Sequence, residues 1–173
     1  KIQEKNLKAA QAAKEAEASG LKALENILAK LKMEPQIVNR DAFSVMGISA
    51  HGNPSSMNYG EIWNQFTTYD DQVKQFSLDK GYYNVYFATE EENMVDLVAG
   101  MAVEDVSNVP EGLTTCEVPA MRCAVFECTM KTIGQTYDYI YREWLPKSQY
   151  EHDAKPDFEY FSSDSETEDS PVL

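Results

Sequence analysis

Positive charge is scarce in this chain of 173 residues: 15 Lys and Arg stand against 29 Asp and Glu, a formal net charge of −14. A nucleic-acid surface needs clustered Lys and Arg to neutralise phosphates. The acidic field therefore argues against direct nucleic-acid contact by these residues and favours cationic partners at long range. Histidine is nearly absent, with only His51 and His152, and there is no H-E-x-x-H, no G-x-S-x-G and no phosphate-cradling glycine loop. Zinc-protease, serine-hydrolase and nucleotide chemistry thus lack their signatures, and no metal or cofactor is expected. Cysteine is as sparse: Cys116, Cys123 and Cys128 are an odd number without a C-x-x-C pair. They read as structural thiols, with Cys123 and Cys128 expected on opposite sides of one strand. No stretch reads as a signal peptide or a membrane span, and the cytoplasm is the expected location.

What is abundant is aromatic and apolar. Ten Tyr, seven Phe and two Trp within 43% hydrophobic residues suffice for one packed domain plus an appendage. The appendage is residues 1–34, where seven Lys and five Glu give a net of +2; residues 35–173 carry the remaining −16. A boundary near Pro35 follows. Leu21, Leu24, Leu28 and Leu31 form one apolar helical stripe, which predicts a linker or dimerisation helix, or one that packs on its own domain.

From Pro35 onward the order of elements appears twice. A strand over Ala42 to Ala50 leads into a helix from about Asn58 to Phe76, capped by Ser56, and then strands at Tyr82 to Ala88 and Met94 to Glu104. The second pass runs from a strand pair over Leu113 to Thr129 through a helix from Ile133 to Leu145, stopped by Pro146, to a strand at Phe158 to Phe161 and the start of another at Pro171. The expected fold class is α+β, as tandem β-α-β-β repeats with both helices on one face, plus the N-terminal helical segment. Ser162 to Ser170, dense in Asp and Glu, reads as a hairpin loop with nothing to bury.

The segment from Tyr137 to Tyr160 carries the functional signal. Tyr137, Tyr141 and Trp144 share one helical face at i, i+4 and i+7, and the following strand sets Glu159 among Phe158, Tyr160 and Phe161. Ring faces and a carboxylate both attract cations. The same spacing also suits core packing, and a Glu between rings also suits the wet face of a half-exposed sheet.

The chain resembles the GyrI-like, or gyrase-inhibitor-like, effector-binding domains found alone and at the C-termini of AraC-type and MerR-type multidrug-sensing regulators. The resemblance rests on Phe43-Ser44-Val45-Met46-Gly47-Ile48, Ile62-Trp63 with Phe66, Asn84-Val85-Tyr86, Ala99-Gly100-Met101 and Val118-Pro119-Ala120. It is strongest in Glu143-Trp144-Leu145-Pro146 followed by Phe158-Glu159-Tyr160. It covers residues 37–173 and implies two halves related by a pseudo-twofold, with a cleft between them for bulky aromatic, often cationic, compounds. Carried onto this sequence, the ligand-binding residues would be Glu159, Trp144, Tyr141, Tyr137, Trp63 and Tyr86. The expected function is a ligand sensor of a transcription regulator or a standalone binding protein. Two alternatives are a hydrolase of reactive compounds, with Glu159 and Tyr141 steering water, and a gyrase-inhibitor-like protein. Residues 1–34 hold no recognisable helix-turn-helix, and the resemblance implies a final strand longer than the one ending at Leu173.

Overall fold

The computed structural model describes residues 11, 14–24, 33–163 and 170–173, in two compact units, Lys1–Pro35 and Gln36–Leu173. In the first unit residues 14–24 are helical, and Leu21 and Leu24 stand 62% and 58% exposed. Leu28 and Leu31 lie outside the described residues, as do the acidic residues 164–169 of the expected loop.

The second unit is an α+β fold built around a seven-stranded sheet. Its strands are β2 (Phe43–Gly52), β3 (Tyr82–Ala88), β4 (Val95–Val103), β5 (Thr114–Val118), β7 (Cys128–Thr129), β8 (Asp157–Phe161) and β9 (Pro171–Val172), in the spatial order β5-β2-β4-β3-β8-β9-β7. Between β2 and β3 run α1 (Tyr59–Thr67), α2 (Asp70–Val73) and a 3-10 turn, Lys74–Phe76; between β7 and β8 runs α3, starting at Ile133. The two halves, β2-α1-β3-β4 and β7-α3-β8-β9, order their strands as β2-β4-β3 and β7-β9-β8. They meet at the antiparallel β3–β8 pair, so the arrangement has the pseudo-twofold that the repeated sequence order implies.

One strand, ahead of the first half, was not legible in the sequence. β1 (Gln36–Arg40) pairs with β6 (Met121–Val125) in a separate ribbon, while β5 pairs with β2. Each half thus lends its leading strand to the other. The expected strand pair over Leu113 to Thr129 is three strands, because the chain leaves the ladder at Phe126 and Glu127. This break overturns the expectation that one strand carries both Cys123 and Cys128: Cys123 lies in β6 of the ribbon and Cys128 in β7 of the main sheet, and both border the cavity described below. All three cysteines are free, and burial raises each thiol's pKa, that of Cys116 to about 11, so they stay protonated.

Strand alternation divides the core. Val45, Tyr83, Val85, Val98 and Ala102 face one side with Phe43 and Val118; Met46, Ile48, Met101 and Val103 face the other, under Phe66 and Val73. Both helices lie on this second face, since Trp63 of α1 packs on Phe161 and Tyr137 of α3 bonds to Glu159, and positions 159 and 161 point the same way. Asn58, not Ser56, caps α1: its side chain accepts the Glu61 N–H at 3.2 Å while donating to the Glu61 carboxylate at 3.1 Å.

Pro146 does not stop its helix. α3 (Ile133–Tyr139) widens into a π turn, Ile140–Trp144, and continues as α4 (Leu145–Lys147), with Pro146 inside that last turn. Proline has no N–H for the Arg142 carbonyl and its ring would strike it. The helix opens instead: Leu145 donates to Ile140, five residues back.

Candidate functional site

α1 is packed down and α3 stands off. Trp63 meets Phe66, Tyr82 and Phe161 edge-on at 5.7 to 6.4 Å, filling the space beneath α1. Around α3 there is instead a cavity of about 680 Å³, bounded by the helix, β6, β8 and the 150–156 loop. Asp157, Phe158, Glu159 and Tyr160 all line it. Consecutive strand residues point to opposite faces, so a cavity that touches four in a row runs along the strand's edge.

Helix and strand repeats are matched here. Tyr137 and Tyr141 are one helical turn apart, about 6 Å of rise, and Glu159 and Asp157 are two strand residues apart, about 6.6 Å. Accordingly the Tyr137 hydroxyl donates to Glu159 at 3.1 Å and the Tyr141 hydroxyl to Asp157 at 2.8 Å, with the two rings parallel to within 3°. His152 Nε2 also meets Asp157, at 3.0 and 3.1 Å. Further along, Trp144 stacks on Tyr150 at 5.8 Å and receives Phe126 edge-on at 5.1 Å.

Glu159 is 8% exposed. Its Oε2 accepts from Asn84 Nδ2 at 2.9 Å and from the Tyr86 hydroxyl at 3.0 Å, and its Oε1 accepts from Tyr137. Three donors fill three of a carboxylate's roughly four acceptor positions. Burial nonetheless raises the Glu159 pKa above the ordinary value, while Asn84, Tyr86 and Tyr137 pull it back. Desolvation and the Glu159 charge also drive the Tyr86 and Tyr137 hydroxyls far upward, so both remain donors. Behind Tyr86 the network continues 3.4 Å to Tyr59, which donates to the Pro54 carbonyl at 3.1 Å.

Of the six residues singled out from sequence, Glu159, Trp144, Tyr141 and Tyr137 border one cavity. Tyr86 reaches the site only through its hydroxyl, and Trp63 is placed in the α1 core instead. Sequence reasoning missed Asp157, although a period of two already set it on the face of Glu159. It also missed Asn84, for which there was no local signal, because the contact spans 75 positions.

A family model described as a GyrI-like small molecule binding domain matches residues 33–172. The chain belongs to this GyrI-like family. The domain is 30% identical over 131 residues to the transcriptional regulator BrlR of Pseudomonas aeruginosa, an alignment that takes in 75% of this chain and 48% of BrlR. The chain therefore spans about half the length of that relative. In fold the GyrI-like domain is similar to SAV2435 bound to tetraphenylphosphonium (TM-score 0.63, 12% identity, 81% of this chain and 90% of that one). It is also similar to an integron cassette protein of Vibrio cholerae (0.59, 14%, 81% and 93%) and to a putative transcription regulation protein of Staphylococcus aureus (0.57, 12%, 81% and 94%). It is a small-molecule binding domain, and among its described residues no helix is long and apolar enough to cross a membrane.

Proposed function

We propose that this domain binds planar, apolar cations in the α3–β8 cavity, with Glu159 supplying the charge and Tyr137, Tyr141 and Trp144 the ring faces, as the sensor part of a transcription regulator. The observation that carries the reading is the buried carboxylate at the cavity wall with donors on three acceptor positions and no buried cation to balance it among the described residues. A charge held in this way is poorly solvated, so an entering cation gains Coulomb attraction that a neutral analogue lacks. At 5 Å and an effective dielectric of about 20 this is worth about 3 kcal/mol before desolvation. The lipophilic cation in the SAV2435 structure supports the same ligand class.

Fluorescence titration of the full chain with a cationic rhodamine ester and a neutral dye of equal size tests the reading. The cation is expected to bind about thirtyfold more tightly near neutral pH, or roughly 2 kcal/mol. That preference should fade on acidification at a pH above the usual carboxylate range, because the Glu159 pKa is raised. Equal affinities at every pH count against it.

We also propose that residues 1–34 join two copies through the leucine stripe, a reading supported by the exposure of Leu21 and Leu24. Sedimentation should show a dimer that Leu21→Ser with Leu24→Ser converts to monomer; a monomer before substitution refutes it.

A further inference from the structure

A second carboxylate borders the same cavity on the face of β8 that carries Glu159. Asp157 and Glu159 are two strand residues apart, so their side chains leave that face about 6.6 Å from one another. Glu159 lies deep, at 8% exposure, whereas the Asp157 side chain is 45% exposed and stands toward solvent. The helix repeats this gradient: the Tyr137 hydroxyl reaches the deep acid, and Tyr141, itself exposed, reaches the outer one. His152 Nε2 also meets Asp157, yet among the described residues no Lys or Arg nitrogen comes within 4.0 Å of either carboxylate.

Other charges on the wall answer one another. Lys155 meets Asp153 at 3.4 Å, and Arg40 donates to the Tyr83 hydroxyl at 2.9 Å, which in turn donates to Asp79 at 2.7 Å. With Arg122 and Glu151 included, the wall carries five carboxylates against three cations, histidine counted neutral, a deficit of two positive charges. We propose, resting on the reading that Glu159 receives a planar cation, that the domain's ligands are dications: a cationic ring system seated against Glu159 that bears a second, aliphatic ammonium seated against Asp157. The burial gradient sorts the two charges. A delocalised ring cation is weakly hydrated and loses little on entering the deep end, while a compact ammonium is strongly hydrated and is best held where water still reaches it. A monocation at Glu159 would leave Asp157 with only a hydroxyl and an imidazole as partners.

Ethidium and propidium test this by fluorescence titration at physiological salt and pH 8, where an ordinary imidazole is uncharged. Both carry one planar phenanthridinium cation, and propidium adds a quaternary ammonium on a propyl arm. The native chain should bind propidium about tenfold more tightly than ethidium, and Asp157→Asn should cut that ratio to about twofold while weakening ethidium less than about threefold, which also reports that the variant is folded. Glu117→Gln controls for the general acidic field: exposed Glu117 lies in β5, four strand spacings or about 19 Å from β8, beyond the Debye length of about 8 Å, and its loss should leave the ratio intact. A native ratio near one overturns the dication whether or not Asp157→Asn folds, as does a ratio that Asp157→Asn leaves unchanged or that Glu117→Gln lowers as far. Ethidium separates the two readings. If it binds as tightly as propidium and Glu159→Gln weakens both, the cation reading stands and the dication falls; if neither dye binds, both fall.

Discussion

Glu159→Gln is expected to lower the affinity for a planar cation about thirtyfold and for a neutral dye of equal size less than threefold, measured by titration at one salt concentration. The substitution removes charge and keeps shape, and the surroundings can accept it. The introduced side chain would still accept from Tyr137 through its carbonyl. Its new amide group would face Asn84, whose buried Oδ1 has no hydrogen-bond partner among the described residues; turning the Asn84 amide over presents that oxygen to the new donor. Tyr86 would then turn its proton toward Tyr59, which keeps its bond to Pro54. Equal losses for both dyes would mean that the carboxylate does not set the preference.

The same variant should change stability with a defined sign. Burial holds the Glu159 pKa above its ordinary 4.5, so folding favours the protonated form. That contribution is complete below the unfolded-state pKa and is lost as pH rises through the folded-state one. Glu159→Gln has no such loss, so its stability relative to the native chain should grow from acid to neutral pH, read as a widening difference in melting temperature. A difference that shrinks instead would show that the three hydrogen bonds outweigh burial.

Gly47→Ala and Gly100→Ala are each expected to cost about 3 kcal/mol or more, lowering the melting midpoint by roughly 10 °C. These glycines face each other in the β2–β4 register. A Cβ on Gly47 would fall on the Ala99 carbonyl, and one on Gly100 on the Met46 carbonyl, each inside 3.0 Å of backbone that cannot swing aside. Close approach of two strands, not backbone freedom, is what demands glycine here. Gly134, in α3, is the control: a Cβ there meets nothing within 4 Å, so Gly134→Ala should stabilise by about 0.5–1 kcal/mol. Comparable melts for all three would contradict the packing described.

The local chemistry of the site was largely readable in the chain, and its long-range pairing was not. The alternation in Asp157–Phe161 already placed a carboxylate between rings, and the resemblance carried by Phe158-Glu159-Tyr160 pointed to that carboxylate. Nothing in the sequence distinguished Trp63 from Trp144, since both sit on amphipathic helices, and only the tertiary arrangement decides which helix packs down and which leaves a cavity. Pro146 was legible as a disruption. That it would widen the helix and not end it depended on the carbonyls around it. Gln36–Arg40 has weak alternation and becomes a strand because β6 supplies its partner, a choice made by residues far along the chain.

That exchange of leading strands also sets the order in which the domain can be completed during synthesis. β1 waits for partners roughly eighty to ninety residues downstream, from Arg40–Met121 to Gln36–Val125, and β3 waits for β8 across a similar span. Contacts at such separations close slowly, because loop entropy is lost before pairing repays it. While the first half emerges from the ribosome its edges at β1, β2 and β3 are therefore open to other chains. Neither half can be finished alone, and the nascent chain remains exposed to mispairing until β8 and β9 have been made.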